Sequence, residues 1–374
     1  MNMDGVFWAS TVVILYVYLG YPLLLAVWAH LRPHPTRKAR MDDAADSWPS
    51  LSIIVAARNE GPRLPGRITN LLELKYPGPR EIILVSDGST DGTLSSLREL
   101  LRAKGVNSSA VRLIEVPAGG KPLALNAGVA AATGDILVFA DARQRFAVDA
   151  LVELVANFND DVVGGVTGEL VLDSSSSSGA DSTVAEGVGL YWNYEKWMRR
   201  KESAIWSTLG ATGAIYALRR SLWRPLAADT LLDDVLAPMR AVLLGSRIVF
   251  EERAIAFDSV PADAQTESRR KTRTLAGNYQ ILGQEWKLLL PVVNPVWLQY
   301  MSHKVGRLLV PWALLCAFIS SMFLARSGWY YVAALTVQVA FYGLALVGGW
   351  MEWRERRRPA EFEGMSVPLS KGAR

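Results

Sequence analysis
The sequence predicts an α/β domain with a mostly parallel central sheet, set between membrane-spanning helices at the two ends of the chain. Three observations carry this reading. Short apolar runs rich in β-branched residues alternate with helical stretches between Leu51 and Ala140, as in sheets whose strands are buried on both faces. Polar residues follow three of these runs, at Asn59, Asp87 and Asp141, where open α/β sheets bind their ligands. Of three longer apolar stretches, the first and the third are each followed by a basic cluster, as the positive-inside rule predicts for a three-span chain.

Composition agrees. Half of the 374 residues are hydrophobic and the mean hydropathy is +0.16, above that of an ordinary soluble domain. The single cysteine, Cys316, excludes a disulfide framework or a cysteine zinc cluster within the chain. His30, His34 and His303 lack metal-ligand spacing and read as membrane-edge residues. A net charge of +4, with its basic residues in a few clusters, points to lipid headgroups and not to nucleic acid.

The first span covers Phe7 to Leu31, within residues 1–31. Arg32, Arg37, Lys38 and Arg40 follow it, which turns residues 32–50 and the domain behind them to the cytoplasm of an inner or plasma membrane. Asp42 to Ser50 reads as a polar linker. Leu51–Ala57, Glu81–Ser86, Val111–Val116 and Ile136–Ala140 are the strands, with helices over Ile68–Leu74, Leu94–Lys104 and Lys121–Ala132 between them. The serine run Ser174–Ser178 reads as a surface loop. The domain closes near residue 282. Residues 283–307 mix tryptophans, leucines and basic residues around Pro291 and Pro295. Two readings fit them: an interfacial segment on the cytoplasmic leaflet, or a buried helix of the soluble domain. Spans Leu308–Ala325 and Trp329–Trp350 follow, and residues 351–374 form a basic cytoplasmic tail.

Several residues suit the handling of a nucleotide-activated sugar. Asp87 and Asp91, in a glycine-containing loop after the second strand, can accept from a base N–H or a ribose hydroxyl; Asp91 also suits a helix cap. Lys121, after Gly119-Gly120, and Asn126 stand at a helix start suited to phosphate. Asp141 suits a divalent ion on a diphosphate, and Arg143 or Arg145 suits the phosphates directly. Asp233-Asp234 is an acid pair in which repulsion raises one pKa, as a general base requires. Arg270 and Arg273, in Arg269-Arg270-Lys271-Thr272-Arg273, suit a leaving diphosphate or lipid headgroups.

In order, Val55-Ala56-Ala57-Arg58-Asn59-Glu60, the Asp87/Asp91 loop, Gly120–Asn126, Asp141, Thr212-Gly213-Ala214, Asp233-Asp234 and Arg270–Arg273 resemble the membrane-embedded family 2 glycosyltransferases with a GT-A fold, related to polysaccharide synthases. The likeness runs from about Leu51 to Gln280. It implies an inverting transfer from a nucleoside diphosphate sugar, with UDP as the expected carrier, to a glycan or lipid-linked acceptor in extracellular polysaccharide synthesis. It implies that Mg²⁺ or Mn²⁺ binds with the donor. It assigns Ala57, Asn59, Glu60, Asp87 and Asp91 to the nucleotide, Asp141 to the metal, Asp234 (with Asp233) to the base, and Thr212, Gly213 and Ala214 to the acceptor.

Two positions depart from the family pattern. The usual Asp-x-Asp reads Asp141-Ala142-Arg143, without the second acid, and the tryptophan expected after Arg273 is Thr274. The second departure argues against a processive polymer synthase. A nucleotidyltransferase would need no acceptor-base pair, and a non-catalytic scaffold would not need Asp233-Asp234.

Overall fold
The structure, a computed structural model, describes residues 2–40, 47–103, 105, 110–173, 182–259 and 264–356. The serine run and most of the basic tail lie outside these. Eight strands form one sheet in the order β3-β2-β1-β4-β7-β6-β8-β5. They are β1 Leu51–Ala57, β2 Arg80–Asp87, β3 Val111–Val116, β4 Ile136–Asp141, β5 Arg145–Phe146, β6 Val163–Asp173, β7 Ile215–Arg219 and β8 Arg247–Ser259. β7 is antiparallel to β4 and β6, and β5 to β8; the other pairings are parallel.

The unbroken apolar runs follow from burial on both faces. Along β1, Leu51, Ile53, Val55 and Ala57 enter one core cluster and Ile54 the other. β4 divides alike, with Ile136, Val138 and Ala140 on one face and Leu137 and Phe139 on the other. Helices Leu64–Glu73, Thr93–Ala103 and Ala150–Val155 cover the first face; Lys121–Ala131 and Asp233–Leu243 cover the second.

The chain divides into two compact units, Val17–Leu308 and Met1–Tyr16 with Leu309–Arg374. In the smaller unit the Phe7 and Tyr331 rings meet edge to face at 4.9 Å, and Tyr331 hydrogen-bonds Asp4. Three helices are long and apolar enough to cross a membrane: Met3–Leu31, Trp297–Leu324 and Trp329–Met351. The second begins eleven residues before the expected Leu308, because a π-helical stretch at Tyr300–Val305 joins Trp297–Gln299 to Gly306–Leu324 without a break. Leu288 and Val296 before it and Tyr300 within it enter the domain core, while Trp286, Val292 and Val293 stay exposed.

The segment after the first span is strapped to the domain. His34 donates its amide to Ala204 and Ala39 to Ala156, at 2.7 and 2.9 Å, and Arg247 donates to the His34 carbonyl at 2.8 Å. Lys38 pairs with the buried Glu251.

Candidate active site
The carboxyl ends of β1, β2 and β4 share one edge of the sheet, with Ala57 opposite Ser86 and Ala56 opposite Asp141. β7 runs against β4 with Ile215 opposite Ala140. Its amino end therefore delivers Thr212-Gly213-Ala214 to the same edge, beside Asp141. The topology thus brings four predicted stretches together from positions far apart in sequence.

Lys121 is at the centre. Its ammonium lies 3.2 Å from Asp141 Oδ1 and 3.3 Å from Asp233 Oδ2. Burial lowers an ammonium, but Asp233, Asp141 and Asp234 outweigh it and raise Lys121 above its ordinary value. Burial, reinforced by Asp233, pushes the Asp234 carboxyl up to about 6. Asp233 and Asp234 open a helix, where first-turn amides favour negative charge. A Cβ at Gly213 would stand 2.8 Å from Asp234 Oδ2, so glycine gives the carboxylate its room. Asp234 also accepts the Ala211 amide on its carbonyl at 2.7 Å.

The loop at the end of β2 is braced. Asp87, buried, accepts the amides of Gly119 and Gly120 at 2.7 and 3.0 Å and lies 3.9 Å from Arg58. It thereby holds the turn that launches Lys121, in which Gly120 has φ +90°. Asn59 is the one described non-glycine residue with positive φ, at 54°. Its carboxamide oxygen accepts the Thr90 amide at 2.8 Å, and its own amide donates to Ser89 at 3.1 Å. Strained backbone kept in place by such bonds is a mark of functional sites. Asp91 caps the next helix through Thr93 at 3.0 Å and accepts the Gly61 amide at 3.1 Å. Glu60 pairs with Arg63 at 2.7 Å, and Ala57 is buried at the end of β1.

Other predicted residues have local partners. Asn126 exchanges two hydrogen bonds with the Leu226 backbone, at 2.8 and 2.9 Å. Arg143 pairs with the buried Asp258 at 2.8 Å, and Arg145 lies over the Phe257 ring. Arg270 and Arg273 lie on the helix Ala264–Gln284. They share a face with Gly277, which packs on Leu231 and Leu232 just before the acid pair. Thr212 donates its amide to Thr167 at 2.8 Å and accepts from Arg199 at 2.5 Å; Ala214 is buried.

Several site residues were not singled out from the sequence. Asp258 balances Arg143 from β8, and nothing in its local pattern signals that. Tyr216, buried and stacked on Phe139 at 4.6 Å, is held neutral by burial and by Asp233, Asp234 and Asp141. His303 is buried against Glu202 at 2.7 Å. The spacing of Glu195, Arg199 and Glu202 on one helix face was a usable signal for that contact.

The sheet and its covering helices define a GT-A fold. Residues 52–224 match the family described as Glycosyl transferase family 2. A probable glycosyltransferase of Bacillus subtilis, YdaM, is 26% identical over 240 residues, covering 63% of this chain and 56% of the relative. The poly-beta-1,6-N-acetyl-D-glucosamine synthase of Staphylococcus aureus is 25% identical over 278 residues, covering 71% of this chain and 65% of the relative. The chain thus matches less than two thirds of the length of either. Among solved structures, the mannosyltransferase PcManGT from Pyrobaculum calidifontis, in complex with GDP-Man and Mn2+, superposes with a TM-score of 0.68. It is 22% identical, and the match covers 95% of both chains.

Asn126 is bonded as a structural pin. Asn126→Ala should lower unfolding stability by about 1–3 kcal/mol, through loss of a paired amide against buried backbone. Thermal unfolding checks this, with UDP affinity unchanged in the folded protein. Weakened UDP binding at unchanged stability would make Asn126 a ligand contact instead.

Proposed function
We propose that the chain is an inverting glycosyltransferase that moves a sugar from a nucleoside diphosphate, UDP first, to a hydroxyl of a glycan or lipid-linked acceptor. The observation that carries this reading is the cluster of Asp141, Lys121, Asp233 and Asp234 beside Gly213. Asp234 takes the proton of the acceptor hydroxyl. The acceptor oxygen then bonds to the anomeric carbon from the face opposite the leaving group. The bond to the donor phosphate breaks, and the nucleoside diphosphate departs with the electron pair. A carboxyl near 6 is deprotonated at pH 7 yet basic enough to hold that proton briefly. Lys121, with Arg270 and Arg273, meets the leaving diphosphate. Asp87, Asn59 and Asp91 shape the nucleotide loop, and Asp87 is the group proposed for the base.

Asp234→Asn should cut transfer at least about 10²-fold and leave UDP affinity nearly intact. In the wild type, Asp234 is active when deprotonated, so kcat should fall as pH drops through about 6. Steady-state kinetics from pH 5 to 8 check this. Near-normal turnover of the variant, or a flat acid limb, would sink the assignment.

For the metal, Asp141 and Asp233 converge on one cation position, now held by the Lys121 ammonium. Among the described residues no group of three or more metal-ligating side chains occurs. Two carboxylate oxygens are hard donors, and they suit a divalent ion whose remaining oxygens come from the diphosphate. Asp141 would hold Mg²⁺ or Mn²⁺, which would supply neutralisation of the diphosphate charge. Asp258 offsets the Arg143 charge, so that arginine is no barrier to the ion. Calorimetric Mn²⁺ titration should show binding with UDP present and none without it. Tight binding without nucleotide, or full activity in excess EDTA, would overturn this.

The setting we propose is multi-pass, in the cytoplasmic membrane, with the catalytic unit inside and extracellular polysaccharide as the destination. The basic clusters after the first span and after the third support the orientation. The name of the Staphylococcus aureus relative supports the destination. A cysteine introduced as Ser221→Cys on a Cys316→Ser background should resist an impermeant thiol reagent in intact cells and react after lysis. Labelling of intact cells would reverse the topology.

A further inference from the structure
The acceptor side of the site holds positive charge that sugar transfer to a neutral hydroxyl does not use. On the helix Ser182–Ile205, Glu195, Arg199 and Glu202 fall on one face. Arg307 pairs with Glu195, and His303 lies 2.7 Å from Glu202 and 3.6 Å from Glu195. Tyr21 donates its hydroxyl to Glu202 at 3.0 Å. Both acids are thus engaged. Burial alone would raise Glu195, yet His303 and Arg307 bring its carboxyl well below the ordinary range.

Arg199 and Lys304 are left over. Among the described residues, Arg199 makes one hydrogen bond, to Thr212 Oγ1, and no ion pair, and Lys304 makes neither. Both side chains are half-buried. Lys304 directly follows His303, which reaches both Glu195 and Glu202, the residues one helical turn on either side of Arg199; its charge also acts on Asp234. Thr212 is directly followed by Gly213, which touches Asp234. A chain of neighbours therefore runs from Arg199 through Thr212 and Gly213 to the base. Two cations drawn partly out of water without a direct ion-pair partner among the described residues are costly, and an anion between them lowers that cost.

We infer that Arg199 and Lys304 bind a phosphate ester of the acceptor, next to the sugar whose hydroxyl Asp234 deprotonates, and that the acceptor is a lipid-anchored sugar phosphate. This rests on the reading of Asp234 as base. A guanidinium and an ammonium together match the several oxygens of a phosphate or diphosphate. The lipid follows from the position of Lys304, which is the eighth residue of the apolar helix Trp297–Leu324. That helix has 28 residues, about 42 Å, against about 30 Å of hydrocarbon. Its first turns thus have length to spare at the headgroup level, where a lipid phosphate resides.

The test uses full-length protein in nanodiscs with UDP saturating, so that the donor site is filled. The probes are farnesyl diphosphate, farnesol and inorganic diphosphate. Farnesyl diphosphate should bind at least about tenfold more tightly than either of the others. Arg199→Gln and Lys304→Gln should each lose about tenfold of that affinity, while Arg199→Lys and Lys304→Arg retain most of it. UDP affinity should not move in any variant, which also reports that each is folded. Equal binding of farnesol, or no loss in the glutamine variants, overturns the subsite. Inorganic diphosphate binding as tightly as farnesyl diphosphate overturns the lipid source. Failure of the wild type to bind UDP would count against the glycosyltransferase reading itself, a result the probe comparison keeps separate.

Discussion
Three carboxylates at one sheet edge repel one another, and the Lys121 ammonium makes their company tolerable. Asp141 and Asp233 each lie within 3.3 Å of it, and Asp234 follows Asp233 directly. At such distances a unit charge is worth several kcal/mol in a half-buried setting, on the order of the entire cost of crowding the acids. Remove the ammonium and the edge either takes up protons or spreads apart. The rest of the site is arranged to put that lysine there: Asp87 holds the Gly119-Gly120 turn, Asn59 holds the Asp87 loop, and Asn126 pins the helix that Lys121 begins.

The reversed strand β7 is the second constraint. In a wholly parallel sheet the amino end of the strand beside β4 would lie at the far edge. Running antiparallel, β7 turns its start toward Asp141 and puts Gly213 against Asp234. Asp141 and the Thr212-Gly213-Ala214 stretch thus meet without a long loop, and the absent side chain of Gly213 sets how closely Asp234 approaches.

Much of this was readable in the chain. β1 to β4 are apolar runs of strand length, and their ends were marked by Asn59, Asp87 and Asp141, because burial on both faces leaves a strong local signal. The acid pair and the Gly-Gly-Lys turn were legible from residue type alone. The partners of these residues were not. Asn126 was read beside a phosphate and is tied to Leu226, one hundred residues on; Arg143 was read likewise and is tied to Asp258. Such pairings depend on which strand lies next to which, and β6 to β8 follow an order that local periodicity does not encode. The same limit applied to His303, whose partner Glu202 is about one hundred residues away.

The strap over residues 34–39 has a consequence for how the enzyme meets its substrates. His34 and Ala39 are bonded into the domain and Lys38 into its core, so the catalytic unit has no slack leash to the helix ending at Leu31. A catalyst fixed at a surface searches a plane. Its encounters with a lipid-borne partner are then counted per unit area of bilayer, and the volume of solution drops out of the rate. In the proposed reaction the soluble nucleotide sugar would still arrive from three dimensions, so the two proposed substrates would obey different concentration scales. Diluting the membrane with inert lipid would slow one encounter and leave the other untouched.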